Sequence, residues 1–142
     1  MRPQSIVMFE RLFLASLVLG VVGVLLSYGQ MAEFASGDPG MRRLGLGSGF
    51  LVGVLGVSYA VYLLLWYLIA RRASTVAKWI LVVFTVLGVL SALPALGGPW
   101  NATLVLSLAV YALEIVALVY LFRPDARAWF AGETQGPPVT FD

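Results

Sequence analysis

The chain has 142 residues, 61% hydrophobic and 11% charged, with a mean hydropathy of +0.94. An average soluble domain is about 25% charged, so a water-soluble globule of this size would lack the polar side chains to cover itself, whereas lipid accepts apolar surface. The chain has no cysteine and no histidine, which excludes a disulfide framework, a thiol redox centre, cysteine-held iron–sulfur clusters and His-ligated haem, and disfavours zinc and copper; no cofactor and no metal site is expected.

The net charge of +2 does not point to nucleic acid. The nine basic residues are scattered at the ends of apolar runs. They form no basic stripe and no aromatic-interleaved patch of the kind phosphate binding needs.

Four apolar runs follow in chain order. A helix needs about 20 apolar residues to cross ~30 Å of hydrocarbon, and each run reaches or approaches that length. The first span is expected over about residues 10–32, entered through Phe9-Glu10-Arg11. It is too long for the h-region of a signal peptide and reads as a retained span. The stretch from Arg2 to Glu10 reads as a separate interfacial segment. The second span covers about 46–70 and is closed by Arg71-Arg72. The third covers about 77–96, with Ser74 or Thr75 as N-cap and Gly97-Gly98-Pro99 as its end. The fourth covers about 101–122, capped by Asn101 and closed by Arg123-Pro124. Residues 124–130 read as a short interfacial helix with Trp129 and Phe130 dipping into the headgroups. Residues 132–142 are Gly/Pro-rich and polar, so a flexible tail is expected after a single transmembrane domain over 1–131.

The fold class is therefore all-α, an integral membrane four-helix bundle. Its orientation follows from the Arg and Lys count. Arg2, Arg11, Arg71, Arg72, Lys78, Arg123 and Arg127 fall on one side and only Arg42 and Arg43 on the other. That bias predicts cytoplasmic N- and C-termini in a bacterial inner membrane.

The second span carries a stripe of small residues, Gly45, Gly49, Gly53, Gly56 and Ala60. Such residues let helix backbones approach closely, either inside the bundle or between copies. Ala15, Ser16, Gly20 and Gly23 in the first span and Gly88 in the third are a lesser version. The two halves of the chain also share short segments. Residues 18–22 (VLGVV) match 86–90 (VLGVL), and Tyr59-Ala60 with Arg71 matches Tyr111-Ala112 with Arg123. Two spans per half would make a parallel hairpin repeat, although so small an alphabet produces such matches by chance.

Glu114 is the only ionisable side chain well inside any of the four runs. A charged group at the bilayer centre costs about 2.5–3.5 kcal/mol or more, so it faces a partner, a cavity or a function. Ser16, Tyr62 and Thr85 are at similar estimated depth, and Tyr111 is one turn away on the same face. These five residues form the candidate intramembrane polar site. On a structural reading Glu114 is hydrogen-bonded to hydroxyls and fixes helix register. On a functional reading it couples to a proton or cation, or lines an oligomeric pore.

No catalytic residues are expected. Ser74-x-x-x-Lys78 has the spacing of a Ser–Lys pair, but capping by Ser74 and snorkelling by Lys78 explain it. Asn101-Ala-Thr103 matches a glycosylation sequon, but capping explains Asn101. Glu10-Arg11 reads as an interfacial pair. The build resembles small four-span bacterial inner-membrane proteins. Small multidrug transporters share four spans and a membrane Glu, but theirs belongs to the first helix, so no residue role carries over.

The expected role is that of an accessory, regulatory or interaction protein without enzymatic activity. It would pack with itself, another membrane protein or membrane lipid. The alternative is a small oligomeric channel or proton-coupled transporter using Glu114.

Overall fold

The computed structural model describes residues 2–132. The expected flexible tail lies outside the described residues, apart from Gly132. All regular structure among the described residues is helical: α1 (Gln4–Gly37), α2 (Pro39–Arg43), α3 (Ser48–Arg72), α4 (Thr75–Ala92), a 3-10 turn (Leu93–Gly97), α5 (Ala102–Leu121) and α6 (Pro124–Ala131). Four segments are long and apolar enough to cross a membrane: α1, α3, α4 with its 3-10 extension, and α5. A helix satisfies its own backbone hydrogen bonds, as hydrocarbon requires.

Helix α1 departs most from expectation. It runs 34 residues, or about 51 Å at 1.5 Å per residue, and so outreaches ~30 Å of hydrocarbon. The stretch read as a separate interfacial segment forms its first two turns. Ile6, Phe9, Phe13 and Ser16 recur at helical spacing and are all buried, so the stripe that packs the span also continues the helix toward the N-terminus. No side chain of its own caps α1. Asp125 of α6 does so instead, accepting from the Ser5 backbone N–H at 3.1 Å and the Ser5 hydroxyl at 2.7 Å. A carboxylate there meets both the orphan amides and the positive end of the helix dipole.

The other boundaries have local causes. Ser74 accepts from the Ala77 N–H at 3.2 Å and Asn101 from the Leu104 N–H at 2.8 Å, so both expected caps are present. Pro94 cannot donate to the α-helical ladder, and the chain tightens into the 3-10 turn there. Gly45 has φ +68°, a left-handed conformation that glycine adopts without strain. It belongs to the turn after α2, so α3 starts at Ser48 and Gly45 does not share its face.

Helix α1 packs most closely on α5 and also meets α3; α3 meets α4, and α4 meets α5. The compact core is near one end, where Ile6, Phe9, Ile69, Ala117, Leu121 and Ala126 are each fully buried. That end also gathers the charges. Glu10 pairs with Arg2 and, at 3.6 Å, with Arg71, while Arg11, its expected partner, is exposed. Trp129 and Phe130 pack half-buried against the core cluster. Helix α6 thus lays part of its aromatic side on protein, with Ala126 fully buried beneath it.

The Ser5 hydroxyl holds the Asp125 carboxyl below the ordinary carboxylate range, against a smaller opposing effect of desolvation. A depressed folded-state pKa means the contact contributes in full above the unfolded value of about 4 and is lost only as pH falls through the folded value. Asp125→Ala is expected to speed amide hydrogen exchange in residues 4–8 and 124–131 at pH 7, with α3 and α4 unchanged. In the wild type the same two segments should loosen only on strong acidification.

Candidate functional site

Glu114 is 6% exposed and sits on the inward face of α5. Its carboxylate is 3.5 Å from the Thr85 hydroxyl of α4, a contact at the outer limit of hydrogen bonding. Among the described residues no cation is within salt-bridge range of it. Arg11 in particular does not reach it. A buried carboxyl with one long hydrogen bond is undersupplied with partners, and such groups call for a physical explanation.

A cavity of about 190 Å³ supplies one. It is lined by Ser16 and Leu17 of α1, Ser58, Tyr59 and Tyr62 of α3, and Ser107, Val110, Tyr111 and Glu114 of α5. Four of the five residues expected in the polar site therefore share one cavity, and the fifth, Thr85, touches Glu114 from behind. Ser58, Tyr59 and Ser107 were not anticipated. Depth alone placed the expected layer, whereas the cavity extends along the helix axes. The available signal was periodic: Ser58 is four residues before Tyr62, and Ser107 is four before Tyr111, so each pair shares a helix face.

The serine protons are already committed. Ser16 donates to the Phe13 carbonyl at 2.7 Å, Ser58 to Val54 at 2.8 Å and Ser107 to Thr103 at 2.9 Å. Each hydroxyl thus bonds its own helix and retains acceptor lone pairs. Beside them the Tyr59, Tyr62 and Tyr111 hydroxyls both donate and accept, and Glu114 is the one carboxyl in the lining, the group there able to carry negative charge. Its chemistry favours an occupant that donates hydrogen bonds and carries positive charge.

Aromatic packing positions the tyrosines. Phe9 stacks on Phe13 with centroids 5.4 Å apart, Phe13 meets Tyr62 at 6.2 Å, and Tyr62 meets Phe84 at 6.1 Å. This series joins α1, α3 and α4 and fixes the Tyr62 ring from both sides. Tyr59 and Tyr111 are seated against glycines. A Cβ on Gly20 would lie 2.8 Å from the Tyr59 hydroxyl oxygen, and one on Gly88 would lie 2.9 Å from the edge of the Tyr111 ring. These two contacts coincide with the matched segments of the chain. Gly20 corresponds to Gly88, Tyr59 to Tyr111 and, by the same register, Tyr62 to Glu114. Each half of the chain lays a tyrosine of its second span into a glycine notch of its first. The second half then carries a carboxylate where the first has a phenol.

Among the described residues, the more conspicuous glycine stripe packs against nothing. A Cβ at Gly45, Gly49, Gly53 or Gly56 would meet no atom within 4 Å, and Ala60 is exposed. Close helix approach uses Gly20, Gly23 and Gly88 instead; Gly23 faces Leu106 at 3.4 Å.

No protein-family model, curated protein or solved structure matches this chain. The site therefore rests on its own geometry.

The two classes of glycine separate in a stability series. Alanine in an open helix position gains about 0.5–1 kcal/mol over glycine, so Gly53→Ala should raise the thermal midpoint in detergent. At Gly88 the new methyl strikes the rigid edge of the Tyr111 ring rather than a flexible tip, and overpacking of about 1–3 kcal/mol wins. Gly88→Ala should therefore lower the midpoint. Gly20→Ala should be nearly neutral, because only the hydroxyl tip of Tyr59 has to move.

Proposed function

We propose that the four membrane-length helices form a bundle with both termini in the cytoplasm, and that its role is to bind a small hydrogen-bond-donating cation in the cavity around Glu114. A protonated amine, a hydrated monovalent cation or hydronium fits that description. The reading rests on one observation: a buried carboxylate with a single long hydrogen bond opens onto a cavity whose serines have spent their protons elsewhere. Seven of nine basic residues on the side of the termini support the orientation.

The same geometry serves either a carrier or a sensor. A carrier moves the bound cation, and a sensor passes its occupancy to another membrane protein. Coupling to protons follows the same logic, since an intramembrane carboxylate is the usual relay group. Without an occupant, a charged Glu114 is an uncompensated cost in a low-dielectric setting. Such a cost is retained where the group has work to do.

Glu114→Gln removes the charge at nearly constant volume. In proteoliposomes it should abolish cation binding or cation-driven flux, and Tyr111→Phe should weaken it less. If Glu114 served only to hold helix register, Glu114→Leu would lower thermal stability. On the binding reading Glu114→Leu should raise it, by about 1–3 kcal/mol, because an undersatisfied buried polar group is removed.

A second reading is favoured by the open stripe. Gly49, Gly53 and Gly56 present bare backbone along one face of α3, a surface suited to close approach by another helix. On this reading the protein self-associates, or packs with another membrane protein, through α3. Gly53→Leu should then shift the detergent-solubilised species to a smaller mass in light scattering without lowering the thermal midpoint of the protomer. An unchanged mass would remove this reading.

A further inference from the structure

Lys78 carries a problem that neither the Glu114 cavity nor the α3 stripe addresses. It lies in the first turn of α4 and is only 8% exposed. Its ammonium sits 4.6 Å from the Phe130 ring centroid, 4.8 Å from that of Phe122 and 5.8 Å from that of Trp79. Ring faces attract the cation, but they are not a counter-ion. Among the described residues no carboxylate pairs with Lys78, and the neighbouring charge is another cation, Arg127 of α6. Two cations close enough to repel, one of them nine-tenths buried, have no anion among the described residues.

Directly below is an apolar groove between α4 and α5. It has a volume of about 460 Å³ and is lined by Val82, Val86 and Leu90 of α4 and Leu118, Val119 and Phe122 at the end of α5. Phe122 belongs to both features: its ring touches the Lys78 ammonium and closes the top of the groove. Lys78, Val82, Val86 and Leu90 are spaced four apart and so share one stripe of α4. From Lys78 to Leu90 that stripe runs about 18 Å, close to half of the ~30 Å hydrocarbon thickness, which is the depth of one leaflet.

We propose that this is a binding site for an anionic phospholipid, with the phosphate at Lys78 and Arg127 and one acyl chain along the α4–α5 groove. The occupant is fixed by two requirements met together, negative charge at the top and a leaflet-length apolar tail below. Basic pockets between spans on the cytoplasmic side meet the anionic leaflet. The proposal shares with the proposed function the reading of α4 and α5 as spans and the cytoplasmic placement of their Lys78 end, and it is independent of Glu114.

The test is native mass spectrometry of the full chain, delipidated in detergent and titrated with phosphatidylglycerol or phosphatidylcholine of identical chains. One phosphatidylglycerol should be retained at concentrations where phosphatidylcholine is not. Lys78→Gln and the exposed Arg127→Gln should each weaken that retention about fivefold. Lys78→Arg should preserve it, and Val86→Trp, which fills the groove, should reduce retention of both lipids. Millimolar inorganic phosphate should displace neither. Equal retention of the two lipids, or wild-type retention by Arg127→Gln and a folded Lys78→Gln, would overturn the site, as would displacement by phosphate. Release of the chain from membranes by alkaline carbonate would overturn the spanning reading as well, whereas the other failures leave it standing.

Discussion

Two helices in hydrocarbon gain little by hiding apolar side chains from lipid, so what holds them is close approach and dispersion. The contact of α1 with α5 meets that requirement most fully. Ser16 on α1 and Ala117 on α5 are both completely buried, and Gly23 lets Leu106 come within contact of the α1 backbone. Everything else is set by this pair. It fixes the depth of Ser16 relative to Glu114, and it brings the start of α1 to the end of α5, where Asp125 can cap it. It also leaves α3 and α4 to close the remaining sides through larger and more polar residues.

The cavity is a consequence of that division. Aromatic rings keep α3 from closing on α1 and α5 as tightly as those two close on each other. Tyr59 and Tyr111 act as spacers, each seated in a glycine notch, and the volume between them stays open. Interiors normally close such space, since an unfilled void forfeits contacts on its walls. Here the walls include a carboxylate and three serines, so filling the space with an apolar side chain would trade a void for unsatisfied polar groups. Only a polar occupant resolves both at once.

The four membrane-length helices were legible in the sequence because length and apolarity decide them, and the caps at Ser74 and Asn101 because their chemistry is local. The polar layer was legible as a set of depths. What depth omits is direction along and around each helix, which is why Tyr59, Ser58 and Ser107 were missed although they flank residues that were found. The glycines mislead for a related reason. A run of small residues shows where a backbone could be approached, but the approach needs a partner of the right shape. Single glycines at 20 and 88 have tyrosines facing them; the triplet at 49, 53 and 56 faces nothing among the described residues. The length of α1 was obscured by Glu10 and Arg11, which look like a membrane boundary until the stripe from Ile6 to Ser16 is followed through them.

The two ends of the molecule are built to different standards. At the charged end, Ile6, Phe9, Ile69, Leu121 and Ala126 are sealed from solvent, an ion-pair cluster joins α1 to α3, and α6 is clasped over the top. At the opposite end Leu25, Leu26, Phe50 and Leu93 are all exposed, and α3 begins with glycines that touch nothing. Local opening is easiest where buried contacts are fewest, and among the described residues those are fewest at the end remote from α6. Glu114 is between the two regimes. The well-packed end holds its backbone in place. Its cavity is therefore bounded on one side by tight packing and on the other by helices that share fewer buried contacts.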